Sequence, residues 1–238
     1  MIIRNKKEFV KGALLAVSFL VVLVIMFLPL FEGHNTFVAA DKLFNSIAKD
    51  STYYIGDLIK KNAAFTGQSF DVTVKLKDEE TADKARKVFT TAGCEVTGDP
   101  AKLKIKGDLG KVMGAALRDS DDMFYNRDAE VKGRYGLDGK EVLYAWWVCF
   151  KAMDLELKKL GKSENFKQAT FLNEVVKKAL EVGYNFFQIS PQSARSKGGI
   201  LTFSLVFYVI YTLWWGIAVL FIFEGLGLEM KAGAKKEL

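Results

Sequence analysis

Apolar positions in this chain form unbroken runs near both ends and periodic patterns in between. Ile200 to Phe223 (ILTFSLVFYVIYTLWWGIAVLFIF) contains no charged residue. About 24 residues rising about 1.5 Å each are enough to cross a hydrocarbon core about 30 Å thick. Backbone polar groups in lipid must be satisfied within the segment, so the run predicts a continuous helix. Residues 12–31 form a second apolar run, with Pro29 where its helix should stop. The runs divide the chain into a tail (1–11), a span (12–31), a central domain (32–199), a second span (200–223) and a tail (224–238).

Inside the central domain the period changes several times. Phe37, Ala40, Phe44, Ile47, Ser51, Tyr54 and Leu58 recur at steps of three and four, predicting an amphipathic helix over 36–61. Asn35 or Thr36 can cap its start, and Asp50-Ser51-Thr52 can bend or break it by competing for backbone hydrogen bonds. From Phe70 to Lys77 apolar and polar residues alternate, the pattern of a half-buried strand. A helix over Thr81–Thr91, strands at Cys94–Thr97 and Lys102–Lys106, and a helix from Asp108 to Phe124 follow. A last strand is predicted near Ala129–Tyr135. The β-α-β-β-α-β order over 69–135 resembles a small split-βαβ, ferredoxin-like unit, a fold that hosts many functions and identifies none.

Asp138 and Glu141 then make a capping box for a helix to about Leu160, with Val142, Leu143, Trp146, Cys149, Phe150, Met153 and Leu157 on one face. Ser163 can cap a partner helix burying Phe166, Ala169, Leu172, Val176, Leu180 and Phe187, so 139–188 reads as a helical hairpin. The predicted fold class is α+β, membrane-bound. Two transmembrane helices flank an extracytoplasmic helical-bundle domain built from helix 36–61 and the hairpin, with the α/β unit inserted between them.

Charge sets the orientation. The sequence has 34 Lys and Arg against 28 Asp and Glu, a net charge of +6. Arg4, Lys6, Lys7, Lys11, Lys231, Lys235 and Lys236 lie on the tails, whereas Lys42, Arg195 and Lys197 flank the central domain. The positive-inside rule therefore places both termini in the cytoplasm and the domain outside. No Asn-x-Ser/Thr acceptor occurs, and a bacterial inner membrane is the expected setting. No basic stripe with interleaved aromatics occurs, which excludes a nucleic-acid footprint. Val38-Ala39-Ala40 has the small residues of a signal-peptidase site, but the first apolar run exceeds a typical signal h-region and reads as an uncleaved anchor. Lys235-Lys236-Glu237-Leu238 resembles a dilysine retrieval signal, and reads more simply as a basic cytoplasmic tail.

Candidate chemistry is sparse. His34, the single histidine, has a juxtamembrane position suited to a haem or quinone headgroup, yet no second ligand accompanies it and a solvated imidazole is the simpler reading. Asp119, Asp121, Asp122, Asp128 and Glu130 are acidic, but Met123 and Phe124 break a calcium-loop pattern, leaving a solvated helix end. Cys94 and Cys149 make no Cys-x-x-Cys, so they are either a disulfide in an oxidising compartment or two buried thiols. Trp146 and Trp147 point about 100° apart on a helix, so Trp147 is the candidate for an exposed contact residue, with core packing of both the alternative.

Phe203, Phe207, Tyr211 and Trp214 share one sector of the second span, and Trp215 lies at the same mid-span depth. Aromatic polar edges at that depth need a partner, either another membrane subunit or the first span, where Gly12 and Ala16 permit close approach. These features predict a non-catalytic accessory or scaffold subunit of an envelope membrane complex, in contact with the lipid bilayer and other membrane-protein subunits, and with no cofactor. The alternative is a two-span sensor or ligand-binding protein, which needs a separate output partner because the residues after Glu224 are too few for an output domain. An enzyme is disfavoured by one His, no nucleophile motif and no metal set.

Overall fold

The computed structural model describes residues 3–99 and 102–228. It divides into two compact units, residues 1–44 with 193–238, and Asn45–Gln192.

Among the described residues the first unit holds two helices long and apolar enough to cross a membrane, α1 (Lys6–Phe27) and, at the other end of the chain, α10 (Gly198–Gly225). They pack against each other as a hairpin. Small residues set the approach: a Cβ on Gly12 would lie 2.6 Å from Ile222 N and 2.9 Å from Ala218 O, and one on Gly225 would lie 2.5 Å from Phe9. The Arg4 and Asn5 amides both donate to the Gly225 carbonyl at 2.9 Å, closing that end of the hairpin. Asn5 also caps α1 through its side chain.

After α1, Phe31 and His34 exchange backbone hydrogen bonds across a tight turn, and Asn35 caps α2 (Thr36–Ser51) by accepting from the Val38 amide at 2.9 Å. The boundary between the units falls in this helix. The single helix expected over 36–61 is broken after Ser51. Ser51 Oγ donates to the Ala48 carbonyl and Thr52 Oγ1 to the Lys49 carbonyl, both at 2.9 Å, and the chain restarts as α3 (Ile55–Asn62). Only α3 delivers its apolar side to the core, through Ile55 and Leu58; no residue of α2 belongs to the core. The helical bundle expected from 36–61 and the late hairpin is therefore replaced by a core built around the α/β unit and that hairpin.

In the second unit β1 (Ser69–Lys75) buries Phe70, Val72 and Val74 and exposes the residues between them. It is followed by α4 (Glu79–Thr91), β2 (Glu95–Thr97), β3 (Lys102–Asp108) and α5 (Leu109–Phe124). The sheet order is β1-β3-β2, with β3 antiparallel to both neighbours; Val72 pairs with Ile105, and Glu95 with Lys106. This is the expected split βαβ: β1 and β2 are parallel, joined through α4, with β3 inserted between them.

The fourth strand is not formed. Asp128–Tyr135 is a helix, α6, with Asp128 and Glu130 in its first turn, Lys132 and Arg134 in its last, and Gly136 (φ 59°) as its left-handed cap. Those charges complement the helix dipole, and Val131 and Tyr135 lie four apart on the one buried face. The same Val and Tyr also fit a period of two, which is why the segment looked like a strand.

The capping box of Asp138 and Glu141 opens α7 (Gly139–Lys159), and all seven residues expected on its apolar face are buried. This helix packs on β1, α4 and α8 (Ser163–Val175). Ser163 does not cap α8; its N-cap is Lys162, and Phe166 points outward at 48% exposure. A wide π-helical turn, Val176–Leu180, joins α8 to α9 (Glu181–Asn185). Cys94 and Cys149 are separate, buried free thiols, the second of the two alternatives rather than the disulfide. Burial raises the Cys94 thiol to about 11, helped by Asp108, and Cys149 to about 12. The basic tail at Lys231, Lys235 and Lys236 lies outside the described residues.

Candidate functional site

The most site-like feature of the second unit is a groove of about 300 Å³ between α7 and α9. Leu143, Tyr144 and Trp147 come from adjacent turns of α7, and Leu180, Glu181, Tyr184 and Asn185 from α9 and the turn before it. Helical spacing explains each wall, since residues three and four apart face the same way. The π-helical turn supplies the alignment: its extra residue lets Val176, Ala179 and Leu180 stay buried while Tyr184 reaches the groove. Gly183 completes it, because a Cβ there would lie 3.0 Å from the Ser120 carbonyl and 3.1 Å from Leu143.

The adjacent tryptophans take different roles. Trp146 is fully buried and its indole donates to Asp119 Oδ2 at 2.8 Å. Trp147 is half-buried, donates to Glu181 Oε1 at 3.0 Å and stacks on Tyr144 with ring centroids 6.0 Å apart. Lys151 Nζ lies 5.6 Å from the Trp147 ring and Lys140 Nζ 5.0 Å from the Tyr184 ring. The groove thus offers flat aromatic walls with basic groups at the rim and one carboxylate already engaged by an indole. Such a surface can take up an apolar or aromatic group.

Behind it lies a buried polar network that sequence reasoning missed. Asp119 is not a solvated helix end: it is fully buried and accepts from Tyr135 Oη (2.7 Å), Trp146 Nε1 (2.8 Å) and Arg134 Nη2 (2.8 Å). Burial pushes its carboxyl up, and Tyr135, Trp146 and Arg134 pull it back. Arg134 also binds Asp122, and Arg127 bridges Asp122 (2.9 Å) and Asp121 (3.0 Å). Asp128 accepts from the Gly139 amide at 2.7 Å, and Glu130 is exposed on α6. The acids are consumed by arginines and helix ends rather than gathered for a cation, and among the described residues no group of three His, Cys, Asp or Glu is arranged to hold a metal. Arg127 and Arg134 were the signal that could have identified this network.

Lys49 is a second buried charge. Its ammonium donates to the Phe186 carbonyl (2.9 Å), the Ile189 carbonyl (2.5 Å) and Asn126 Oδ1 (3.3 Å), and sits 4.9 Å from the Phe124 ring. Burial lowers it to about 8. Asn126 also accepts from the Gln188 amide and donates to the Ile189 carbonyl, and the Gln192 amide donates to the Ser46 carbonyl.

The aromatic residues of α10 are divided between two faces. Tyr211 stacks on Phe19 of α1 at 4.3 Å, Trp215 lies 4.7 Å from the same ring, and the Trp214 indole donates to the Leu15 carbonyl at 3.1 Å. The polar edge of Trp214 is thus satisfied inside the hairpin. Phe207 stacks on both Tyr211 and Phe203, while Phe203 is 65% exposed and Trp215 43%. His34 sits in the turn after α1 with Nε2 2.7 Å from Lys42 Nζ. No family model matches this chain, and no curated protein or solved structure shows significant similarity to it.

Proposed function

We propose that the chain is a non-catalytic accessory or scaffold subunit of an envelope membrane complex. In this reading α1 and α10 cross the inner membrane with both termini cytoplasmic, as the basic tails favour, and Asn45–Gln192 stands outside. The observation that supports it most is the Trp147 groove, where an indole and two tyrosines line one opening on a folded unit. Trp and Tyr at a half-exposed site are the residues that most often anchor protein partners. The exposed side of α10, with Phe203 at its edge, is a second contact surface, since Tyr211 and Trp214 are engaged by α1.

The test is purification of the tagged full chain in mild detergent, in wild type and as Trp147→Ala with Tyr184→Ala. A stoichiometric membrane subunit that accompanies the wild type and is lost from the double variant supports the proposal. The same subunit retained by the variant removes the groove from the interface, and the absence of any stoichiometric subunit removes the accessory role. A two-span sensor is the second reading, favoured by a groove volume at the lower end of the range for small-molecule sites. It predicts a small ligand that raises the melting temperature of the chain on its own.

A further inference from the structure

Helix α2 is amphipathic in the reverse of the usual sense. Its buried residues are Ser46 and Lys49, while Phe37, Val38 and Phe44 are 44%, 40% and 46% exposed. Phe37 and Phe44 are seven apart, so they lie on one stripe with Ala40, Ile47 and Ser51. No hydrophobic residue of that stripe enters the core of the chain. An apolar stripe this regular needs a cover.

We propose that the cover is a lipid bilayer, with α2 lying in the boundary between headgroups and acyl chains. The inference rests on the reading that α1 and α10 span that bilayer. Continuity supports it: the Phe27 ring at the end of α1 lies 5.0 Å from Phe37, and Leu28, Leu30 and Phe31 between the helices are 45%, 60% and 48% exposed. The apolar surface of α1 therefore meets the stripe of α2 through Phe27 and Phe37. The turn is held by the paired backbone bonds of Phe31 and His34, and the Asn35 cap starts the new helix there. Attachment to a span supplies a high local lipid concentration, so two phenylalanines suffice where a free helix would need more. The charges of α2 are Asp41, Lys42, Lys49 and Asp50, which sum to zero, so apolar burial rather than attraction to anionic lipid holds the helix.

The experiment places a spin label at Phe37→Cys, Phe44→Cys, Asp50→Cys and Leu205→Cys, one at a time, in the full chain in phosphatidylcholine vesicles. Cys94 and Cys149 are buried, and the wild-type chain is the labelling blank. The quantity read is collision with oxygen relative to a water-soluble nickel chelate. The Phe37 and Phe44 sites are expected to give a ratio several-fold above that of Asp50, approaching that of Leu205, whose side is 69% exposed on α10. A ratio at Phe37 and Phe44 equal to that at Asp50, with Leu205 in lipid, overturns the inference alone. Leu205 in water overturns the spanning reading and the inference with it. Shielding of Phe44 from both probes, or spin–spin broadening, assigns the face to protein and also overturns it. Should the labelled variants fail to fold, Phe44→Trp serves instead: brominated phosphatidylcholine must quench it beyond the wild-type signal, and equal quenching is the negative result.

Discussion

The indole N–H of Trp146 meets Asp119 Oδ2 at 2.8 Å in the middle of the second unit, where neither residue reaches solvent. Asp119 is also the counter-charge of Arg134 and the acceptor for Tyr135. Removing one member of a buried charged set leaves the others unpaired, which costs about 3–5 kcal/mol. Asp119→Ala is therefore expected to be severely destabilising, and Asp119→Asn less so because one acceptor oxygen remains. Urea unfolding of the full chain in micelles, followed by tryptophan fluorescence, measures both. A midpoint for Asp119→Ala equal to wild type would show that the network carries no stability.

The neighbouring tryptophans should separate in the same assay. Trp146→Ala empties a fully buried site that also contacts Phe89 and Phe150, a loss of about 3–5 kcal/mol. Trp147→Ala removes a half-buried wall and is expected to cost about 1 kcal/mol, in the range of ordinary substitutions. Equal costs would mean that Trp147 is a core residue and not a groove residue.

Gly12, like Gly225, marks a close approach between α1 and α10. Gly12→Leu puts a side chain where the Ile222 amide and the Ala218 carbonyl stand, and backbone cannot yield as a flexible side chain can. The helices should separate locally, breaking the bond from Trp214 to the Leu15 carbonyl. Cross-linking of Phe19→Cys to Tyr211→Cys by a short bis-maleimide, efficient in an otherwise wild-type chain because the two rings face each other at 4.3 Å, should fall several-fold when Gly12→Leu is added. Unchanged cross-linking would refute the packing described.

Lys49 gives a pH dependence of defined sign. Its folded value of about 8 lies below the 10.5 of an unperturbed lysine, so between the two the unfolded chain holds the extra proton. The destabilisation from burying the ammonium is then complete below pH 8 and is relieved as pH rises towards 10. Cys94 and Cys149 act in the opposite direction, because their folded values are raised and their contribution falls as pH passes 9. The comparison is therefore between wild type and Lys49→Met. The wild type should gain on the variant between pH 8 and 10, and parallel stability curves would rule out a shifted Lys49.

Most local signals in the sequence were accurate where the partner was near in the chain, the cap expected from Ser163 being an exception. The capping box at Asp138 and Glu141, the strand alternation at Phe70–Val74 and the breaker at Ser51-Thr52 all act within a turn, and each is found. Failures came where a distant partner decides. Ala129–Tyr135 satisfies two periods, and the helix won through charges at its ends and burial of Val131 and Tyr135. Asp119 looked solvated because Arg134, Tyr135 and Trp146 stand 15, 16 and 27 residues away. The stripe of α2 was read correctly as a stripe and wrongly as core, since amphipathicity shows a face without showing what covers it. In the candidate site Trp147 was singled out, but Tyr144, Glu181 and Tyr184 were not, because a π-helical turn has no sequence signature.

That turn is the one place along this helix where chain length can change without moving the groove. Each residue of an α-helix advances its neighbours by about 100°, but a π-helical turn fits one residue more into nearly the rotation of an α-turn, so removing an exposed position such as Lys177 would let α8 run straight into α9 with the residues after it nearly in place. Tyr184 and Glu181 would keep facing Trp147, whereas a residue lost between them would turn one away from the other by about 100°. In any related chain, a one-residue gap at 176–180 is compatible with this groove, and a gap at 182–183 marks its loss even where every side chain that lines it is retained.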